Sequence, residues 1–271
     1  MRTVTGPVRA VIFDWAGTIV DFGSRAPVRA FVDVFLCSGI DITEAEARGP
    51  MGMAKRSHIA ELLRLSSVIQ QWIEQYGSAP AEPDQDRLYA EFIVLQSSML
   101  AQHADVVSGC LETLEQLRNQ GVSIGSTTGY SRAMMDILEP EVVARGLQMD
   151  AVVTPDDVPN GRPAPWMALV AAMRLGVYPP AVCVKVGDTL VDIEEGLNAG
   201  MWTVGVTETG NEMGLSEAEL NALPAEQREQ LGRLAGQRLM QAGAHYVIEG
   251  VAQLMPVIEQ INSKLARGER P

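Results

Sequence analysis

The stretch Val8-Arg9-Ala10-Val11-Ile12-Phe13-Asp14 decides the fold, because it is a short apolar run that ends on an acid just before Gly17. This pattern is typical of a buried strand in a parallel sheet, with its polar residue at the carboxyl end. Similar runs follow downstream, with helix-compatible stretches between them, at residues 122–128, 151–154, 182–188 and 202–206. Alternation of strand and helix predicts an α/β protein with a doubly wound, Rossmann-like parallel sheet.

The first two predicted strands are separated by a stretch far longer than a normal crossover connection. Part of this stretch is typical of helices, since Val28, Phe31 and Phe35 share one helical face and residues 82–99 form a long helix-compatible segment. We therefore predict an all-helical cap at residues 23–104. It would be inserted into a catalytic core formed by residues 1–22 and 105–271. Ligands bind beyond the carboxyl ends of the strands in open α/β sheets, so this cap would cover the binding crevice.

Composition excludes several classes of function. The chain has 271 residues, a net charge of −13 and a pI near 4.7, which argues against nucleic acid or an anionic membrane surface as a partner. No apolar run approaches the ~18 residues of a membrane span, and the N-terminus lacks the layout of a signal peptide. Three widely spaced cysteines fit a reducing compartment. We expect a cytoplasmic protein with a small-molecule substrate.

Two acids at predicted strand ends indicate a metal site. Asp14 ends the first strand, and Asp188 ends the fourth. Two carboxylates at neighbouring strand ends repel each other unless a cation neutralises them, and Mg²⁺ suits a phosphoryl substrate. Asp14 is also placed to attack phosphorus as a nucleophile. Asp192 follows one helical turn after Asp188, where it could support the site from behind or stabilise the start of a helix.

Two further strand ends carry groups that can bind a phosphoryl group. Thr128 and Gly129 end the second strand and offer a hydroxyl and free backbone N–H groups. Arg162 precedes a Pro-x-Pro helix start and places a permanent cation beside the crevice.

Taken together, these segments resemble the four motifs of the haloacid dehalogenase superfamily. The motifs are Asp14-Trp-Ala-Gly-Thr18, Ser126-Thr-Thr-Gly-Tyr130, Gly161-Arg-Pro-x-Pro165 and Gly187-Asp-x-x-x-Asp192. The resemblance implies Asp14 as nucleophile and Asp188 as a magnesium ligand. It also implies Thr128 and Arg162 as the residues that hold the phosphoryl group.

Ala16 departs from the pattern of phosphatases in that superfamily. These enzymes carry a second aspartate two residues after the nucleophile, and it protonates the departing alcohol oxygen. Alanine cannot donate a proton, so hydrolysis of ordinary phosphate esters should be badly impaired. Either the protein is inactive, or its leaving group needs no proton on oxygen, as with carbon.

A carbon leaving group requires an electron sink, which a lysine imine on an adjacent carbonyl supplies. The chain has three lysines, and only Lys55 falls in the predicted cap. Lys185 lies inside a predicted strand and Lys264 in the tail, where we expect structural roles. A lysine with an ordinary pKa near 10.4 is almost fully protonated at pH 7, so the site must lower the pKa of Lys55.

The segments around these residues closely resemble the phosphonoacetaldehyde hydrolase, or phosphonatase, family. They are Asp14-Trp-Ala16, Pro50-Met-Gly-x-x-Lys55-x-x-His58, Thr154-Pro-Asp-Asp-Val-Pro-x-Gly-Arg162 and Ala199-Gly-Met-Trp-Thr-Val-Gly205. The resemblance implies an imine on Lys55, an aspartyl-phosphate on Asp14, and the backbone carbonyl of Ala16 as a magnesium ligand. It further implies a homodimer formed through the caps and a role in 2-aminoethylphosphonate degradation.

The same resemblance gives roles to the neighbours of Lys55. Met51 and His58 are expected to position the substrate or move protons, and His58 can share a helical face with Lys55. Ser24 occupies a position where relatives are expected to have cysteine, so the role of a thiol there is in doubt. Tyr130 is expected to pack beside the site.

Two alternatives remain open at this stage. A conventional phosphomonoesterase or sugar-phosphate mutase on the same fold would turn over simple esters, which Ala16 argues against. The second alternative is a non-catalytic metabolite-binding or regulatory protein. It would not explain why Asp14, Asp188 and Lys55 occur together.

Overall fold

A parallel sheet forms the centre of the fold. The structure is a computed structural model and describes residues 6–271. The strands in this part of the chain are β1 (Ala10–Phe13), β2 (Ser123–Thr127), β3 (Ala151–Val153), β4 (Cys183–Gly187), β5 (Trp202–Val206) and β6 (Tyr246–Ile248). They are all parallel and lie in the order β3-β2-β1-β4-β5-β6. The predicted doubly wound α/β fold is confirmed.

Helices surround the sheet and fill the long connection between its first two strands. They are α1 (Arg25–Cys37), α2 (Glu44–Arg48), α3 (Lys55–Leu63), α4 (Ser66–Tyr76), α5 (Glu82–Leu100), α6 (Cys110–Asn119), α7 (Arg132–Ala144), α8 (Trp166–Arg174), α9 (Leu190–Asn198), α10 (Glu217–Ala222), α11 (Ala225–Gln241) and α12 (Leu254–Ala266). Within the described residues, none of these helices combines the length and apolar character that crossing a bilayer requires.

The residues of β1 show how both faces of the sheet are covered. Val11 and Phe13 point to the face that carries the apolar side chains of α6 and α12. Ala10 and Ile12 point to the opposite face, which α8 covers. Burial on both faces explains why the strand is apolar throughout, and it leaves the next residue, Asp14, at the carboxyl edge of the sheet.

Helices α1–α5, called here the helical insertion, pack on one another beside that edge. Helix α5 contacts both α1 and α3, and the rings of Phe31 and Phe92 stack with their centroids 4.2 Å apart. Their buried apolar side chains are continuous with those beneath the sheet, so the insertion rests directly on the core. An all-helical insertion was predicted here; its division from the core as a separate domain of residues 23–104 stays a prediction.

Candidate active site

The adjacent ends of β1 and β4 bring two of the predicted acids together. Oxygen atoms of Asp14, Asp188 and Asp192 all lie within 4.8 Å of one another, and all three side chains are buried. Burial and the nearby charge of Asp192 raise the pKa of Asp14. Burial and the charge of Asp14 raise the pKa of Asp188 well above its ordinary value. Both shifts follow from burial and from the close approach of like charges.

The turn after β1 allows this close approach. Gly17 has a φ of +81°, and a Cβ atom there would lie 2.2 Å from Oδ2 of Asp188. Any side chain at this position would therefore push the two strand ends apart. The carboxylate of Asp188 is fixed by two donors, the hydroxyl of Thr18 at 3.2 Å and the backbone N–H of Asn211 at 2.7 Å.

Asp192 lies behind the site and in the first turn of α9. Its Oδ2 accepts a hydrogen bond from the hydroxyl of Thr189 at 2.5 Å, in the capping box of α9. Its Oδ1 lies 3.0 Å from Arg162 Nη1 and 2.8 Å from Lys185 Nζ. Although burial opposes ionisation, these two cations hold the pKa of Asp192 below its ordinary value. Asp192 thus occupies both of the positions considered from the sequence, behind the acids of the site and at the start of a helix.

Arg162 lies against the predicted nucleophile. Its Nη1 is 2.7 Å from Asp14 Oδ1, its Nε is 2.9 Å from Glu195 Oε2, and its Nη2 donates to the hydroxyl of Thr127 at 2.7 Å. Burial disfavours the cation, but Asp192, Asp14 and Glu195 together raise the pKa of Arg162. The guanidinium is therefore a permanent positive charge beside Asp14.

Sequence reasoning missed Lys185 and Glu195 as members of this cluster. Lys185 is fully buried, with Nζ 3.4 Å from Glu195 Oε2. A lysine inside an apolar strand needs a buried acid. Asp192 and Glu195 are three residues apart on one helical face, and this spacing was a usable signal.

The charges of the buried cluster fit a divalent cation. The cluster contains four carboxylates and two cations: Asp14, Asp188, Asp192, Glu195, Arg162 and Lys185. Counted as ionised, these groups leave two negative charges, which one divalent cation would balance. Carboxylate oxygens are also the ligands that hard cations such as Mg²⁺ prefer.

Lys55 begins α3 and faces this cluster from the helical insertion. Its side chain is buried, and Nζ lies 5.0 Å from the ring centroid of Tyr130 and 5.5 Å from that of Phe31. Burial, opposed by the attraction of Asp14, lowers the pKa of Lys55 to about 8. The adjacent Arg56 points away from the site and pairs with Asp86 at the surface.

A small cavity collects most of the predicted site residues. It is lined by Asp14, Ala16, Ser24, Pro27, Met51, Gly52, Lys55, Thr128, Gly129, Tyr130, Arg162 and Thr189. Its volume of about 20 Å³ matches a single water molecule rather than a substrate. The structure therefore shows a closed form, in which the cavity is too small for a reactant.

The structure does not bring His58 to this cavity. Its Nε2 lies 2.9 Å from the carbonyl oxygen of Ala47, and its ring stacks on Phe31 at 3.7 Å between centroids. Burial, followed by the charge of Lys55, lowers the pKa of His58 well below its ordinary value. The neutral imidazole packs behind Phe31, whose ring lies beside the amine of Lys55.

The fold and the site are those of a haloacid dehalogenase-like hydrolase, and the model of that family matches residues 8–200. A phosphonoacetaldehyde hydrolase from Syntrophobacter fumaroxidans is 46% identical over 270 residues, which cover 100% of this chain and 98% of that protein. Another, from Paraburkholderia phytofirmans, is 47% identical over 264 residues, covering 97% and 99%. Within its class, the chain belongs to the phosphonoacetaldehyde hydrolase family.

A solved structure supports the same relationship. The crystal structure of a phosphonoacetaldehyde hydrolase-like protein from Oleispira antarctica matches this fold with a TM-score of 0.97 at 45% sequence identity. The match covers 98% of this chain and 97% of that one, so it includes both the sheet and the helical insertion.

Proposed function

We propose that this enzyme hydrolyses the carbon–phosphorus bond of phosphonoacetaldehyde to acetaldehyde and orthophosphate. The observation that carries the proposal is the shared cavity of Lys55 and Asp14, which places a buried amine opposite a carboxylate and its arginine. The names of the similar proteins support the choice of substrate.

The first step is imine formation on Lys55. The neutral amine attacks the aldehyde carbon, and uptake of one proton from solvent with loss of water gives a protonated imine. The rings of Tyr130 and Phe31, close to Nζ, can stabilise the positive charge of this imine. The lowered pKa of Lys55 makes the neutral amine available near pH 8.

The second step breaks the carbon–phosphorus bond. A carboxylate oxygen of Asp14 attacks phosphorus, and the electron pair of the broken bond moves into the imine to give an enamine. Arg162 stabilises the charge on the phosphoryl oxygens, and Thr128 and Gly129 hold the group from the end of β2. Because the electrons end on the imine nitrogen, no acid is needed at Ala16.

Two hydrolyses complete the cycle. The enamine takes a proton on carbon, and water cleaves the resulting imine, which releases acetaldehyde and restores the amine of Lys55. Water then attacks the phosphorus of the aspartyl-phosphate, which releases orthophosphate and frees Asp14.

We propose Mg²⁺ as the resident cation, held by Asp14, Asp188 and the backbone carbonyl of Ala16. When bound, it would neutralise the carboxylates and the phosphoryl oxygens and so lower repulsion between nucleophile and substrate. The negative charge of the buried cluster supports a divalent ion at this place.

The proposed activity is tested directly by product release. We expect the purified enzyme to release orthophosphate and acetaldehyde in equal amounts from phosphonoacetaldehyde, with activity lost in EDTA and restored by Mg²⁺. We expect little turnover of simple alkyl phosphates, because an alkoxide leaving group needs a proton and Ala16 cannot supply one. Efficient hydrolysis of simple esters without release of acetaldehyde would instead favour a conventional phosphatase.

The pH dependence of kcat/KM should report the state of Lys55. The amine is protonated below its pKa, so a value of about 8 predicts roughly a tenfold rise per pH unit below pH 7 and a plateau above pH 9. Initial rates of acetaldehyde release across pH 6–10 measure this profile. A rate that keeps rising beyond pH 10 would mean that Lys55 keeps an ordinary pKa.

A further inference from the structure

Arg48 connects the helical insertion to the core through neutral acceptors. It is the last residue of α2; its Nη1 donates to the carbonyl oxygen of Gly23 at 2.9 Å, and its Nη2 donates to that of Gly214 at 3.0 Å. Gly214 has a φ of +64°, and a Cβ atom there would lie 2.7 Å from the guanidinium carbon. The loop after β5 is thus shaped to receive this side chain.

Asn211 joins this contact to the catalytic acids. Its side-chain oxygen accepts from Arg48 Nη1 at 3.2 Å, and its amide donates to the carbonyl oxygen of Arg48 at 3.4 Å. Its backbone N–H donates to Oδ2 of Asp188 at 2.7 Å. One buried residue therefore contacts both the insertion and a carboxylate of the proposed metal site.

The chemistry of these contacts suits a reversible attachment. Among the described residues, no carboxylate lies within 4.0 Å of the Arg48 guanidinium, so its partners are carbonyl and amide oxygens alone. When these hydrogen bonds break, water can replace each of them, so their net cost is smaller than that of separating Arg48 from a carboxylate would be. The closed cavity requires just such an exchange whenever a reactant enters.

We propose that Arg48 and Asn211 form a closure latch, in which docking of the insertion orders the loop 207–214 and thereby positions Asp188 for the cation. Both are positioning residues, because they act through Asp188. In the closed form the latch holds Asn211, whose N–H fixes one oxygen of Asp188. On opening, this loop loses its contact with α2, and the acid loses orientation. The catalytic consequence rests on the proposed function, but the coupling itself does not.

Mg²⁺ binding tests the latch without any turnover. We expect Arg48→Gln and Asn211→Ala each to weaken Mg²⁺ binding about tenfold in calorimetric titrations, a typical coupling between sites. The double variant should lose little more than either single one, because the two side chains act as a pair. Asn211→Ala keeps the backbone N–H and removes the side-chain contacts with Arg48 and Glu212. Arg64→Gln, at an exposed arginine that pairs with Glu61, is the matched control and should bind like wild type.

Hydrogen exchange gives a second readout that needs neither metal nor substrate. We expect faster exchange in residues 207–214 of Arg48→Gln, and partial recovery in Arg48→Lys, which keeps one charged donor. Under turnover, the KM for phosphonoacetaldehyde should rise more than kcat falls. Unchanged exchange together with unchanged Mg²⁺ affinity would overturn the latch. Absence of phosphonoacetaldehyde turnover in the wild type would overturn the proposed function. The latch would still be tested by Mg²⁺ affinity and hydrogen exchange.

Discussion

Lys55→Arg should abolish cleavage of the carbon–phosphorus bond, with kcat/KM falling by at least about 10⁴-fold, the scale on which enzymes lose activity without a covalent catalyst. Arginine keeps the positive charge near Tyr130 and Phe31, but a guanidinium cannot form an imine. The electrons of the carbon–phosphorus bond then have no acceptor, whatever the state of Asp14. Release of orthophosphate and acetaldehyde measures the loss.

Trapping distinguishes this chemical loss from a structural one. Borohydride added with phosphonoacetaldehyde should reduce the imine in the wild type and leave a stable adduct on Lys55, found by peptide mass spectrometry. Lys55→Arg should show no adduct. Lys264→Arg is the matched control, because its cation lies over Trp202 and Tyr246, where arginine serves equally well. Full turnover by Lys55→Arg would remove the imine from the mechanism.

The strands were predictable because the central ones are buried on both faces. Residues 10–13 are apolar throughout, residues 183–187 are apolar except for Lys185 and Gly187, and an acid follows each run directly. Strand β6 was harder to assign, since it has only three residues at the edge of the sheet and follows the long helix α11. Its three residues, Tyr-Val-Ile, fit a strand, but nothing in the local sequence specifies pairing with β5.

Residues of the site were predictable where their position next to a strand in the sequence determines their position in the fold. Asp14, Thr128 and Asp188 follow strands directly, so the parallel sheet alone brings them to one edge. Lys55 required a chemical argument, because its helix lies in the insertion and its distance from Asp14 depends on how the insertion docks. The cavity that contains both is a tertiary property.

The positions of His58 and Arg48 depend on tertiary contacts. The resemblance placed His58 near the substrate, and its spacing from Lys55 allowed one helical face to hold both. It turns to Phe31 and the carbonyl oxygen of Ala47 instead. Arg48 gave no signal at all, since its partners are backbone carbonyls and an amide, which no local pattern specifies.

Asp14→Asn should separate the two halves of the reaction. Phosphate release should fall by at least about 10⁴-fold, because a neutral amide is not a nucleophile toward phosphorus. Imine formation should survive, since it needs only Lys55 and the aldehyde. Borohydride should therefore still trap an adduct on Lys55 in this variant, while phosphate assays show no product.

Comparison of Asp14→Asn with Lys55→Arg shows that imine formation comes before phosphate release. One variant loses the imine and the phosphate together, whereas the other keeps the imine and loses only the phosphate. Asp136→Asn, at an exposed acid of α7, is the control for the amide substitution and should behave as wild type. Trapping is repeated without Mg²⁺ to show whether weaker metal binding affects adduct formation in Asp14→Asn. We expect no effect, because imine formation uses no ligand of the cation. If Asp14→Asn lost the adduct as well, imine formation would depend on the carboxylate, and Asp14 would have to act on the aldehyde before it attacks phosphorus.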